Sequence, residues 1–346
     1  MTNNPSVALV ILNWNTSHYL KRFLPSLLST SYQNKKIYVI DNNSSDDSLT
    51  MLASDFPEVE ALPMKENKGY AEGYNFGLAQ IKADYYLLIN SDLQATPGFI
   101  EPLIDLLESN PQIAACQPKL LSLEDKKMFE YAGAAGGWID KLGFPFAKGR
   151  ILTTVEEDYG QYDSTQPVFW ATGACMLLRA TVYQQTGGFY GYYYMHQEDI
   201  DLCWRMQNMG YEIYTCPSSV VYHIGGGSLS WENHLKTFLT FRNNYIMLAR
   251  NLPLVSAILL VTFRLAVDFW GSFYFALNGE PGITKAMLKA EAAFFYWLFF
   301  QTKKRHTQPK GWDDHKGIFN GTILFPYFFK NKRKFSEIVI EKKPHA

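Results

Sequence analysis

The stretch Asp84-Tyr85-Tyr86-Leu87-Leu88-Ile89-Asn90-Ser91-Asp92-Leu93 constrains the fold of this chain more than any other. Tyr85 to Ile89 is an unbroken apolar and aromatic run, the pattern of a strand buried on both faces. It stops at Asn90, Ser91 and Asp92, three short polar residues that cannot extend it. Ligands of open parallel sheets bind outside the carboxyl ends of the strands. A carboxylate at such an end suits a hard divalent cation, which takes oxygen donors and completes its shell with substrate phosphates. A plainer reading stays open: Asp92 starts a turn, Asn90 caps it, and Pro97 begins the next helix.

Two earlier segments repeat the pattern. Val7 to Leu12 ends in Asn13-Trp14-Asn15-Thr16, and a helical spacing follows in Leu20, Phe23, Leu24, Leu27 and Leu28. Ile37 to Ile40 ends in Asp41-Asn42-Asn43-Ser44, where Asp41 can cap a helix or accept hydrogen bonds from a nucleotide base or ribose. Strand and helix in alternation predict a doubly wound α/β sheet. Gly69, Gly73 and Gly77 fall on one helical face and permit close packing or ligand approach. No Gly-x-Gly-x-x-Gly turn follows the first strand and no Walker-type loop is present, which argues against nicotinamide-dependent and P-loop chemistry.

Phe99 to Leu107 reads as a helix, and residues 120–166 as a long irregular functional loop. Phe169 to Arg179 contains a strand entered through a small-residue turn. From Glu198 to Met209 a helix is predicted, with Gly210 as its stop and Asp201 and Arg205 as a surface pair at i,i+4. Glu198 and Asp199 sit in its first turn, where three carboxylates within four residues exceed the needs of capping. Ser219 to Tyr222 is a strand ending in His223, beside the glycine turn Gly225-Gly226-Gly227-Ser228, a favourable setting for a ligand.

These blocks, in this order, resemble the inverting glycosyltransferases of family 2, with their GT-A fold. The motifs are Asn13-Trp14-Asn15, Asp41-Asn42-Asn43-Ser44, Asn67-x-Gly69 with Asn75-x-Gly77, Asn90-Ser91-Asp92, Gly173-Ala174, Gly187-Gly188-Phe189, Glu198-Asp199-x-Asp201-Leu202 with Arg205, and His223. The resemblance implies Mg²⁺ or Mn²⁺ held by Asp92 and His223, and Asp199 as the catalytic base with Glu198 beside it. Donor contacts fall at Asn13, Asn15, Asp41, Asn43, Asn67, Gly69, Asn90 and Ser91; acceptor contacts fall at Trp170, Thr172, Gly173 and Ala174. The family's acidic pair reads Asp-x-Asp, whereas this chain carries Asn90 in the first place, as relatives similar to bacterial rhamnosyltransferases do. That branch implies dTDP-L-rhamnose as donor and a lipid-linked or cell-surface glycan as acceptor. Two other classes stay open: an inert nucleotide-sugar or glycan-binding relative, and a nucleotidyltransferase releasing pyrophosphate.

Charge divides the chain. Gln301 to Ala346 carries 11 Lys and Arg against 4 Asp and Glu, a net of +7 that leaves −8 for the rest. Pro253 to Leu277 is the most apolar segment, broken by Arg264 and Asp268; Ala292 to Phe300 is too short to span a bilayer and runs into Lys303-Lys304-Arg305-His306. Apolar helices joined to basic residues predict attachment to an anionic membrane surface rather than to nucleic acid; a helical oligomer interface, a cap on the catalytic domain and two spanning helices stay open as alternatives. The expected division is residues 1–230 as the nucleotide-sugar-binding and catalytic domain and 231–346 as the membrane-associating region. Cys116, Cys175, Cys203 and Cys216 lack metal-ligand spacing and read as buried free thiols. With no signal segment at the start, the expected location is the cytoplasm, against the inner face of the cell membrane.

Overall fold

The computed structural model describes residues 4–225, 234–302 and 307–339. The first half contains β1 (Val7–Asn13), α1 (Ser17–Leu28), β2 (Lys35–Asp41), α2 (Ser48–Asp55), β3 (Glu60–Pro63), α3 (Gly69–Leu78) and β4 (Tyr85–Asn90). Then come β5 (Leu93–Ala95), α4 (Ile100–Ser109), β6 (Ile113–Ser122), β7 (Gly137–Asp140), β8 (Pro145–Ala147), β9 (Arg150–Ile151) and β10 (Thr154–Val155). β11 (Gln166–Val168), β12 (Cys175–Arg179), α5 (Ala180–Thr186), α6 (Glu198–Asn208) and β13 (Glu212–His223) follow. The last third holds α7 (His234–Asn251), α8 (Leu254–Leu277), α9 (Pro281–Tyr296), β14 (Ile318–Phe319), α10 (Leu324–Phe329) and α11 (Phe335–Ile338).

Among the described residues the main sheet has nine strands, ordered β11-β13-β6-β12-β4-β1-β2-β3 with β5 on β13. β1 pairs parallel with both β2 and β4, so connections leave it toward opposite sides. The crevice at the carboxyl ends of β1 and β4 is therefore the topological switch point, where such sheets bind ligands. β12 is antiparallel to β4 and β6, which makes the sheet mixed. The apolar runs alternate across it: Leu9, Ile11, Leu87 and Ile89 enter the core on one face. Ala8, Val10, Tyr86 and Leu88 enter the core on the other. This two-sided burial is what the unbroken runs predict. Gly73 and Gly77 let α3 press on the sheet, since a Cβ there would come within 2.7 Å of Leu12 and 2.1 Å of Ile40. All four cysteines are free and buried.

The segment expected to be irregular is instead a second, five-stranded sheet among the described residues, ordered β10-β9-β8-β7-β14. Its strands within 120–166 are two to four residues long, too short for an alternating pattern to show. Its last member, β14, comes from the far end of the chain and pairs parallel with β7.

Residues beyond 230 pack into the same core. Tyr245, Ile246, Met247 and Leu248 of α7 are fully buried with Trp204 and Met176. Arg264 and Asp268 do not merely interrupt α8: they pair at 3.0 Å on its inward face. Arg264 donates to Leu142 O and stacks 3.7 Å over Phe144, and Tyr245 donates to Asp268. The other face of α8 exposes Leu259, Phe263, Trp270, Phe273, Tyr274 and Leu277. Gly226, Gly227, Ser228 and Lys303-Lys304-Arg305-His306 lie outside the described residues.

Candidate active site

The polar residues that end β1, β2 and β4 form one hydrogen-bonded crescent. Asn13 donates to Asp41 Oδ1 (2.8 Å) and to Ser44, while its side-chain carbonyl accepts from Thr16, whose hydroxyl oxygen also lies 3.0 Å from Ser91 Oγ. Asp41 is buried, and its second oxygen accepts from Ser44 N. Asn15 and Asn43 adopt left-handed backbone, a conformation Asn tolerates, and Asn15 Oδ1 accepts from Ser45 N. Asn67 Oδ1 accepts from Gly69 N and from Asn42, whose own carbonyl accepts from Lys68 N. Asn42 is buried and joins β2 to α3, a role hidden in the sequence because it stands within a run of cap-forming residues.

Asp92 and His223 meet beside this crescent. His223 Nε2 lies 2.9 Å from Asp92 Oδ1 and 3.2 Å from Asn90 Nδ2; its Nδ1 lies 3.2 Å from Glu130 Oε2. Burial alone would lower the His223 pKa, but hydrogen bonds to Asp92 and Glu130 and the charges of both outweigh it and raise it to about 10. Burial likewise opposes ionisation of Asp92, yet the His223 hydrogen bond and charge hold its carboxyl below the usual range. Sequence reasoning missed Glu130, because it sits in the segment without periodicity.

The donor chemistry fits a divalent cation only in part from the protein. Among the described residues no group of three His, Cys, Asp or Glu side chains is arranged to hold a metal ion. Asp92 offers an oxygen, and His223 a nitrogen once binding of the cation releases its Nε2 proton, with Glu130 placed to orient the imidazole from behind. Mg²⁺ and Mn²⁺ sites completed by substrate phosphates and water need few protein ligands, so the two-donor set suffices.

The acid pair lies close by. Asn90 N donates to Ala174 O, and Gly173 N donates to Asp199 Oδ2 (3.0 Å), so the small-residue turn before β12 joins the end of β4 to the start of α6. Asp199 keeps partial exposure while Glu198 is buried. Burial raises the Asp199 carboxyl; the amides of Gly173 and Ile200 and the nearby Arg150 guanidinium oppose it without reversing it. Glu198 is raised well above the usual range, by burial first and the Asp199 charge second. Trp170 and Thr172 are both buried: the Trp170 indole donates to Trp138 O, and Thr172 N donates to Gln117. The structure corrects one expectation here. Asp201 and Arg205 form a fully buried pair (2.8 Å), not a surface one, because α6 runs beneath α7 and Asp201 also accepts from Tyr193 and Asn251.

The turn into α6 is strained. Tyr194, His196 and Gln197 all have positive φ (66°, 69° and 73°), a costly arrangement that only its surroundings can maintain. Asn243 of α7 holds it, donating to the carbonyls of Tyr193, Met195 and His196 at 2.8–3.0 Å. Tyr194 O accepts from Tyr70 N and Ala71 N, and a Cβ on Gly69 (φ +77°) would fall 2.6 Å from that oxygen. Only glycine lets α3 dock on this turn.

Residues 8–187 match the family described as Glycosyl transferase family 2, just over half of the chain. The chain is 28% identical over 257 residues to an N-acetylglucosaminyl-diphospho-decaprenol L-rhamnosyltransferase of Mycobacterium tuberculosis, covering 70% of this chain and 83% of that protein. It is 21% identical over 245 residues to the low-salt glycan biosynthesis hexosyltransferase Agl10 of Haloferax volcanii, covering 69% and 74%. In fold it is similar to GalNAc-T7 solved with UDP, GalNAc and Mn²⁺ (TM-score 0.58, 13% identity), covering 72% of this chain and 49% of that one. It is also similar to a mannosyltransferase of Pyrobaculum calidifontis solved with GDP-Man and Mn²⁺ (TM-score 0.52, 13% identity), covering 85% and 88%. The matched segment runs from β1 to the end of α5 and so contains the strand ends that form the switch-point crevice, with Asp199 and His223 beyond it; the chain belongs to glycosyl transferase family 2, with a GT-A fold.

Proposed function

We propose that this protein moves L-rhamnose from dTDP-L-rhamnose to a hydroxyl of a lipid-linked or cell-surface glycan, with inversion at the sugar. The observation that carries the reading is the placement of the Asp92–His223 pair and Asp199 on either side of the β4–β12 junction. The name of the mycobacterial relative supports both the sugar and the lipid-linked acceptor. The crescent from Asn13 to Asn67 holds the nucleotide end of the donor. Asp92 and His223 would hold Mg²⁺ or Mn²⁺, which when bound would supply positive charge for the departing diphosphate. Asp199 takes the proton of the acceptor hydroxyl, whose oxygen bonds to the anomeric carbon as the bond to diphosphate breaks and its electron pair leaves with the diphosphate. A single displacement from the opposite face inverts that carbon. Asn90 favours a second reading, an inert nucleotide-sugar binder, because it removes one carboxylate from the usual acidic pair.

The test is a panel of nucleotide sugars with Mg²⁺ or Mn²⁺, scored by thermal shift and by nucleoside diphosphate release. dTDP-L-rhamnose should stabilise the protein and release dTDP when acceptor is present. Stabilisation without release from any sugar would favour the inert binder.

The acceptor side is proposed to lie on an anionic membrane. α8 is long and apolar enough to cross a bilayer, but its inward stripe carries the Arg264–Asp268 pair bonded to the body of the protein, so it lies along the surface. Phe325, Phe328 and Phe329 of α10 are exposed beside Lys330, Lys332 and Arg333, a combination suited to an anionic interface. Co-sedimentation with anionic vesicles should weaken with salt and with Trp270→Ala combined with Phe273→Ala. Binding indifferent to both would sink the placement.

A further inference from the structure

Asp201 and Arg205 share the face of α6 opposite Asp199. A half-enclosed cavity of about 290 Å³ opens there, lined by Glu72, Gly188, Gly191, Arg205, Arg250 and Gln301 among others. Both arginines are more than nine-tenths buried. Arg205 Nε binds Asp201 Oδ2 and its Nη1 donates to Thr186 O, but Nη2 has no partner among the described residues. Arg250 stacks 3.6 Å over the Tyr190 ring, and its Nε and Nη1 have no hydrogen-bond partner among the described residues.

The charges do not balance. Asp201 stands 4.0 Å from Arg250 Nε, but its oxygens already accept from Arg205, Tyr193 and Asn251. One carboxylate thus serves two buried guanidinium groups, and among the described residues one positive charge is left without a hydrogen-bonded counter-ion. A buried charge in that condition is costly unless something pairs with it. Glu72 does not: its carboxylate packs against Gly191 at the exposed rim, and among the described residues it pairs with neither arginine. Gly188 and Gly191 let Asn75 and Glu72 close against the cavity wall, where a Cβ would collide with their side-chain oxygens. Paired guanidinium donors match the oxygens of a phosphate group. The mouth adjoins Gln301, immediately after the exposed Phe299 and Phe300.

We propose that this cavity binds a phosphate group, carried either by a soluble phosphate ester or by a lipid headgroup, at a site separate from the switch-point crevice. The inference is independent of the transferase reading. It is tested on the full chain by calorimetric titration with inorganic phosphate, with and without saturating dTDP and Mn²⁺. Binding in the millimolar range or tighter is expected, unchanged by dTDP, and weakened about tenfold or more by Arg250→Gln and by Gln301→Glu, which sets a negative charge at the mouth. Gln301 lies at a helix end, so that variant keeps the test sound if Arg250→Gln disturbs folding. Absence of binding, displacement by dTDP, or two folded variants that bind as the parent does would each overturn the proposal. Vesicles of phosphatidylcholine with and without phosphatidic acid tell the sources apart. A gain with phosphatidic acid that Gln301→Glu removes identifies a headgroup; phosphate binding without that gain identifies a soluble ester.

Discussion

Two pairs of carboxylates lie near the β4–β12 junction and are set to opposite ends. Asp92 and Glu130 hold His223 between them, and the imidazole's positive charge keeps Asp92 ionised. Glu198 and Asp199 have no cation of comparable closeness among the described residues, are next to each other, and are both raised by burial. The same side chain therefore becomes a holder of positive charge in one place and an acceptor of protons in the other. What separates them is the partner that the fold supplies. A tuned pair of environments is how one site runs both jobs near neutral pH.

The largest effect should come from emptying the first pair. Asp92→Asn removes its one carboxylate that faces His223 Nε2, and transfer should fall below detection while the far-UV circular dichroism stays unchanged. Near-parental release of dTDP across a Mn²⁺ titration would show that the metal role lies elsewhere. Next, Asp199→Asn should lower turnover by about 10²–10⁴-fold with donor affinity held within a few-fold. If Glu198→Gln is the more damaging change and Asp199→Asn still turns over, the roles within the second pair are reversed.

A smaller effect is expected behind the imidazole. Glu130→Gln keeps the shape but weakens the orientation of His223, so the metal concentration for half activity should rise about 10–100-fold. No change would mean that Glu130 serves only to compensate charge.

The smallest effect separates the pairs by pH. A carboxyl whose folded pKa is raised binds a proton more readily in the folded state, so stability falls as pH rises from the ordinary carboxylate range through the raised value. Glu198→Gln should therefore raise Tm at pH 7–8 by roughly 2–4 °C per kcal/mol of relief. The gain should vanish at acidic pH, where Glu198 is protonated in both states. An equal gain at both ends of the range would show that the change acts through packing and not through charge.

The sequence made the crevice readable because each half of the signal is local. An apolar run of five residues fixes a strand such as Tyr85 to Ile89, and Asn90 to Asp92 mark its end. Asp199 and His223 stood out by the same means. Glu130 and Asn243 did not, since their work is done across the fold: one orients His223 from a segment of short strands, the other binds three carbonyls of a turn about 48 residues upstream. Asp201 and Arg205 were misread for a related reason. Helical spacing reveals that two charges meet, but only the covering helix α7 decides whether water does too.

The pairing of β14 with β7 carries a consequence for how the chain is made. These partners are separated by about 180 residues, which take roughly 10–40 s to synthesise. Through that interval β7 waits at an open sheet edge, and before it ends Asp92, Asp199 and His223 have all been synthesised. The small sheet, with Arg150 and the charge it brings near Asp199, is finished only when the last strand arrives. A late stall in translation would thus yield a chain whose residues for chemistry are all present and whose edge is bare, a form suited to capture by chaperones rather than to catalysis.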